Sequence, residues 1–248
     1  MCLVLLALQE HKDYPVIIAA NRDEFYARPS QSMHWWPDNH LLAGKDLQAG
    51  GTWLGLAKNG GFATVTNYRE MSADVGRYSR GQLALQWLQH DSDALSFSQA
   101  LPLADYAGFN LLFGNIQQQR LYHISNRSNG LQAITCGFYG LSNALLDSPW
   151  PKVTSAKPIM AQLTKKPFQA DDWFALLADK TTADAHLLPD TGVDAAIEHL
   201  LSSRFIQSAD YGTRCSTIIC LDTEHNIHVY ERSFDPLGQV SGNLYFQL

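Results

Sequence analysis

The chain has 248 residues, with 18 Lys+Arg against 24 Asp+Glu, a formal charge of −6 and 46% hydrophobic residues. Only 17% of residues are charged, below the roughly 25% usual for a soluble domain, so the composition excludes disorder and describes a chain with a large core. An acidic balance with no Lys/Arg cluster argues against a nucleic-acid partner. The four cysteines, at 2, 136, 215 and 220, show no zinc spacing and fit a reducing, cytoplasmic setting better than a disulfide scaffold.

In chain order, residues 2–9 form an apolar run of strand length that ends in the polar turn Glu10-His11-Lys12-Asp13. The run lacks the basic region and cleavage site of a signal peptide, and no stretch approaches the roughly 18 apolar residues of a membrane span. The β-branched run Pro15–Asn21 completes an N-terminal hairpin. Strands are expected at Leu41–Gly44, Thr52–Ala57 and Gly61–Asn67, the last two joined by an Asn-Gly turn. A helix capped by Ser79 follows to His90, and a second runs from Asp93 to Leu101. Phe109–Asn115 and Arg120–Asn126 read as a hairpin, with further strands at Leu131–Ile134 and Phe138–Asn143. Helical patterns cover Val153–Leu163, Asp171–Ala178 and Val193–Leu201, and the tail returns to strands at Ser216–Leu221, Ile227–Arg232 and Asn243–Gln247. Strands first, helices between and strands last predict an α+β fold of mostly antiparallel sheets with segregated helices. No linker or repeat divides the chain, so 1–248 is read as a single domain.

Four groups of residues could carry chemistry. Cys2 is the first: aminopeptidases remove an initial Met before a small residue, which would leave a thiol beside its own α-amine. An α-amine has an unperturbed pKa of roughly 7.7–8.0 and can serve as the base for such a nucleophile. The alternative for Cys2 is a small buried hydrophobe opening a strand. Second is Asn21-Arg22-Asp23-Glu24 at the end of the second strand, which hairpin pairing brings beside Cys2, where a guanidinium would favour the thiolate. Arg22 and Asp23 point to opposite faces if the strand continues through them. Asn67 and Asn143 both end apolar strands, where a side-chain amide can donate to an oxyanion or simply form a turn. Arg214 opens an apolar strand, as a carboxylate clamp or an ordinary strand entrance.

These segments, with Leu42-Ala43-Gly44-Lys45-Asp46, Ala49–Gly55, Thr66-Asn67-Tyr68-Arg69, Gly140–Ala144 and Tyr211–Arg214, resemble the NRDE-motif family, also called the transport and Golgi organisation protein 2 family. The resemblance runs from residue 1 to the final strand. It implies a four-layer αββα sandwich like that of N-terminal-nucleophile hydrolases, similar at a distance to choloylglycine hydrolase and penicillin V acylase. By that analogy Cys2 is the nucleophile, Arg22 and an acidic neighbour support it, Asn143 and Asn67 serve the oxyanion and Arg214 is a distal arginine. In those acylases the acid stands a few residues beyond the arginine, whereas here Asp23 is adjacent, which leaves Asp23 and Glu24 as candidates for the role.

Two functions follow as expectations. One is a cysteine amidohydrolase that cleaves a linear, non-peptide C–N bond in a small amide or acyl ligand, with no cofactor. The other is a carrier of an apolar anionic ligand such as haem or an acyl-CoA, with Trp35, Trp36, Trp53, Phe25 and Tyr26 as aromatic surface and Arg22, Arg28 and Arg214 as anion-holding groups.

Overall fold

The computed structural model describes residues 2–36, 40–71, 76–89 and 93–248. The first half comprises β1 (Cys2–Leu8), β2 (Val16–Phe25), β3 (Ser30–Trp36), β4 (Leu41–Asp46), β5 (Leu54–Ala57) and β6 (Gly61–Asn67), then helices α1 (Gly81–Leu88) and α2 (Ala94–Ala100). Next come β7 (Phe109–Asn115), β8 (Arg120–Ser125), β9 (Gln132–Ala133) and β10 (Gly137–Leu141). Helices α3 (Pro151–Thr154), α4 (Ala156–Leu163), α5 (Ala170–Leu177) and α6 (Ala195–Leu200) precede β11 (Tyr211–Leu221), β12 (Ile227–Phe234) and β13 (Val240–Gln247). Two antiparallel sheets result, one of six strands in the order β10-β1-β2-β11-β12-β13 and one of seven running β3 to β9 in sequence order.

All of β1 and the first eight residues of β2 are buried, because their sheet is covered on both faces. A strand covered on both sides reads as a continuous apolar run. Along β1 and β2, Val4, Leu6, Leu8, Val16, Ile18 and Ala20 face the second sheet and pack against Leu42, Leu54, Leu56 and Phe62. The intervening Leu3, Leu5, Ala7, Ile17 and Ala19 face the helices and meet Val153, Ala156, Met160 and Trp173. On the far side of the seven-stranded sheet, α1 and α2 place Leu83, Leu85, Leu88 and Phe97 against Phe109, Leu111 and Phe113. Helix, sheet, sheet, helix is the four-layer α+β sandwich expected from the sequence. Among the described residues no helix is long and apolar enough to cross a membrane.

Apart from shifts of up to three residues at element ends, the structure differs from expectation at five places, the first being that β11 begins at Tyr211 and not at Ser216. Strand β2 continues four residues beyond Asn21, because Asn21–Phe25 find ladder partners in Tyr211–Ser216 of β11. Strand β3 carries no apolar alternation and forms at the edge of its sheet through pairing with β4. Helix α1 begins at Gly81 with Arg80 in the cap position and no side-chain cap, so Ser79 does not cap it. Here Gly51 lets the helix start approach the sheet: a Cβ on Gly51 would lie 2.8 Å from the Gly81 carbonyl carbon. The helix expected over Val153–Leu163 divides into α3 and α4 at Ser155, since Pro158 has no N–H to donate to the Thr154 carbonyl.

A second close approach fixes α3. A Cβ on Gly140 would stand 2.4 Å from Val153 Cγ1, so only glycine in β10 lets this helix lie against the sheet. Gly140→Ala is expected to destabilise the fold by about 1–3 kcal/mol through overpacking, measured as a lowered midpoint in urea with an unchanged slope.

Candidate active site

Cys2 and Arg22 are ladder partners on β1 and β2, and Arg22 is in turn paired with Cys215 on β11. The strand period puts Cys2 and Arg22 on the face that looks toward the second sheet, with Val4 and Ala20, and sends Asp23 to the helix side with Asn21. Between Thr213 and Cys215 the register shifts by one residue, which leaves Arg214 bulged out. The bulge lets Thr213 partner Asp23 while Cys215 partners Arg22.

A cleft of about 470 Å³ opens at this point, and Cys2, Arg22, Asp23, Asn67 and Arg214 all line it. Arg22 is 8% exposed, its Nη2 lies 3.8 Å from Glu24 Oε2, and its Nη1 is buried with no hydrogen-bond partner among the described residues. Asp23 is 1% exposed; its Oδ1 accepts from Thr213 Oγ1 at 2.7 Å and its carbonyl from the Tyr211 hydroxyl at 3.0 Å. Glu24 remains on the cleft side, where its carboxylate also lies 3.8 Å from Arg28. Both acidic candidates line the cleft, but the Asp23 carboxylate is buried against Thr213 whereas Glu24 lies among arginines.

Arg214 clasps the β2–β3 turn, its Nη1 donating to the carbonyls of Phe25 at 3.1 Å and Arg28 at 3.2 Å. Asn143 is fully buried. Its Nδ2 donates to the Asn67 carbonyl at 2.9 Å and its own carbonyl accepts from Arg69 N at 2.7 Å. Its neighbour Ser142 donates to the Cys2 carbonyl at 3.5 Å. Asn143 thus ties the Asn67–Arg69 segment to the end of β10, and of the two asparagines only Asn67 lines the cleft. Asn21 is structural: its Nδ2 donates to the carbonyls of Leu177 and Arg204 at 3.0 and 2.8 Å, and its Oδ1 accepts from Ser216 at 2.6 Å.

Two cleft residues and one buried cation were not anticipated from sequence. Glu231, 3% exposed, accepts from Met33 N at 2.7 Å. Alternation along β12 could have found it, since Ile227 and Val229 share its inward face. Arg80 lines the cleft wall and donates to the Gly108 carbonyl at 3.2 Å. Lys152, in α3, is 2% exposed, and no periodicity of a four-residue helix announces it. Among the described residues no cluster of three or more His, Cys, Asp or Glu is arranged to hold a metal.

A family model described as "Transport and Golgi organisation 2" matches residues 1–236. The chain belongs to this family. It is 33% identical over 239 residues to the Transport and Golgi organization protein 2 homolog of Bos taurus, covering 89% of this chain and 87% of the relative. It is 26% identical to the Transport and Golgi organization protein 2 of Drosophila melanogaster, covering 96% and 95%. Among solved structures it is similar to the N-acylethanolamine-hydrolyzing acid amidase ortholog of Caenorhabditis elegans, with a TM-score of 0.52 at 10% identity over 88% of this chain and 92% of that one. A C2A mutant of the conjugated bile acid hydrolase from Clostridium perfringens gives a TM-score of 0.51 at 10% identity, covering 100% and 92%. These are N-terminal-nucleophile hydrolase folds, and at this identity the likeness concerns the fold alone.

Burial pushes the Cys2 thiol above its ordinary range; the amino-terminal charge pulls it back most, the Asp23 charge adds to the push, and Arg22 and a backbone hydrogen bond at Asp23 pull it down. The net effect is a thiol raised above the ordinary cysteine range. Alkylation of Cys2 is expected to have its pH midpoint above the roughly 8.5 of a free cysteine. Asp23→Asn removes a charge that opposes the thiolate and lowers the midpoint; Arg22→Gln removes one that favours it and raises the midpoint, each by about 0.5–1 unit. Iodoacetamide labelling of Cys2 across pH, followed by peptide mass spectrometry, measures both.

Proposed function

We propose that this protein is a cysteine amidohydrolase whose nucleophile is Cys2, freed as the first residue by removal of Met1, acting on a linear non-peptide amide of a small molecule. The observation that carries this reading is the placement of Cys2 beside Arg22 at the opening of a 470 Å³ cleft in an N-terminal-nucleophile fold. The named activities of the similar structures, on conjugated bile acids and N-acylethanolamines, both concern amides of small molecules and support the reaction class.

In the proposed reaction the freed α-amine of Cys2 takes the thiol proton as sulphur attacks the amide carbonyl. Arg22 holds the developing negative charge near the sulphur, and Asn67, which lines the cleft and is held in place by Asn143, serves the oxyanion. The C–N bond breaks, the α-amine returns its proton to the leaving amine, and water then cleaves the thioester to release the acid and restore the thiol. Because burial raises the thiol, the mechanism relies on that α-amine. The chemistry suits a reducing compartment such as the cytoplasm.

The test is turnover of a panel of fatty-acyl and amino-acid amides, with the amino terminus checked by intact mass. Protein starting at Cys2 should hydrolyse at least one substrate, and Cys2→Ala should lower that rate by on the order of 10³-fold or more. Activity in protein that retains Met1, or in Cys2→Ala, overturns the mechanism.

A second reading, carriage of an apolar anionic ligand such as haem or an acyl-CoA, is supported by Lys45, Arg80 and Arg214 on the cleft wall. It predicts that hemin titration shifts the Soret band at micromolar concentration and that Arg80→Glu weakens the shift about tenfold or more. No shift up to that concentration removes haem from consideration.

A further inference from the structure

The cleft is built for a charged guest. Among the described residues nine charged side chains line it, against three large apolar ones, Trp53, Val65 and Phe234. Four of the nine are carboxylates, and each already accepts a hydrogen bond no longer than 2.9 Å: Asp23 from Thr213, Glu24 from Phe25 N, Asp46 from Arg28 and Glu231 from Met33 N. The cations are less fully used. Arg22 is 8% exposed, and its Nη1 is buried without a hydrogen-bond partner among the described residues. Arg80 has no acidic partner among the described residues, and its side-chain hydrogen bond goes to the neutral Gly108 carbonyl at 3.2 Å. The surplus is of donors, so a ligand that completes the site brings acceptors.

Arg80 is placed by the start of α1. It stands in the cap position, with no side-chain cap and no acidic residue in the first turn of the helix. The Gly108 carbonyl that anchors its guanidinium also accepts from Tyr68 N at 2.9 Å, and the next residue, Phe109, is the ladder partner of Asn67. Asn143 and Ser142 in turn join this segment to the nucleophile, donating to the carbonyls of Asn67 and Cys2. Arg80 thus enters the cleft at the reacting end. A guanidinium without a counter-ion at a helix start, sharing a cleft with a second guanidinium that has an unused nitrogen, favours an anion. We infer that the Cys2 site takes a small polar amide carrying a carboxylate close to the scissile bond, and that Arg80 is the specificity-determining residue that binds this carboxylate. A long acyl chain or a sterol body is disfavoured, because it would strip water from charged groups without replacing their hydrogen bonds. This substrate class presupposes Cys2 as the nucleophile of an amidohydrolase.

The test uses two reagents that alkylate the same thiol and differ in charge, iodoacetate and iodoacetamide. Their rate ratio at Cys2 is measured at constant ionic strength in folded and in urea-unfolded protein of matched amino terminus, by peptide mass spectrometry. Folding should raise the iodoacetate-to-iodoacetamide ratio about tenfold or more, Arg80→Gln should remove most of that gain, and Arg80→Lys should keep part of it. An equal ratio in folded and unfolded chains, or a gain that survives Arg80→Gln, overturns the proposal. Should Arg80→Gln not fold, or Cys2 not label, thermal midpoints of the Cys2→Ala protein decide. N-acetylglycine and succinamate carry the carboxylate on the amine side and the acyl side, and each is compared with its neutral amide, N-acetylglycinamide or succinamide, up to about 50 mM. A rise with either acid and not with its neutral partner supports the proposal and identifies the charged side; no rise with either overturns it. Lengthening N-acetylglycine to N-octanoylglycine should leave binding within about threefold, and a larger gain marks a lipid site and overturns the polar substrate class. Turnover of neutral amides that needs Cys2 but not Arg80 sinks this substrate class and leaves the hydrolase standing, whereas turnover that survives Cys2→Ala sinks the hydrolase itself.

Discussion

Strand β2 is buried on both faces, and its two-residue side-chain period parts Arg22 from Asp23 across the sheet. Much of the site follows from that constraint. Arg22 joins Cys2 and Cys215 in the space between the sheets, and Asp23 joins Thr213 in the helix layer. Thr213 and Cys215, two apart in sequence, would share a face on a regular strand. The bulge at Arg214 reverses that parity, so each meets the β2 residue it serves, and the bulged arginine is left to clasp the β2–β3 turn. A site at the end of buried strands inherits their rigidity, because the strands cannot slide without exposing an apolar face.

Placing charge in such a location has a cost that the fold meets in two separate ways. Between the sheets, Arg22 has Glu24 at 3.8 Å and Glu231 on the cleft floor. On the helix side, Arg69 pairs with Glu198, and Asp23 and Lys152 are buried nearby. Removing one member of such a set leaves an uncompensated charge, which is far more damaging than removing a matched pair. The Cys2 thiol lies between the two groups and feels both: Asp23 opposes its ionisation and Arg22 favours it. The chemistry of the site is therefore set by a balance of charges on opposite sides of one sheet, within a fold shared at only 10% identity with amide hydrolases.

Legibility of the sequence varied with how local the physics was. The β1–β2 hairpin and the partnership of Cys2 with Arg22 were readable because adjacent apolar strands joined by a short turn have one sensible pairing. Asn21 was readable as a polar residue in an apolar run, but its work is to bind the carbonyls of Leu177 and Arg204, more than 150 residues away. Glu231 was within reach, since its spacing from Ile227 and Val229 marks it as inward. Lys152 was not: it is buried on α3, a four-residue helix whose Val153 packs against Gly140 of β10. Strand β3 and the start of α1 were missed because edge pairing and backbone contact at Gly51, not side-chain pattern, determine them.

By itself the sequence determined the antiparallel sheets with segregated helices and the first residues of the cleft, because hydrophobic periodicity and strand pairing act over short distances, and its family resemblance implied the four layers. The core-rich, sparsely charged composition is part of that, since few charges leave long runs free to be covered on both faces. Only the tertiary structure decided where the remaining charges went. It gave Asp23 and Glu24 different surroundings, committed Asn143 to the Asn67 carbonyl, and buried Lys152 under α3. Those outcomes depend on contacts between segments distant in sequence, and the desolvation of a charge is fixed by everything that surrounds it.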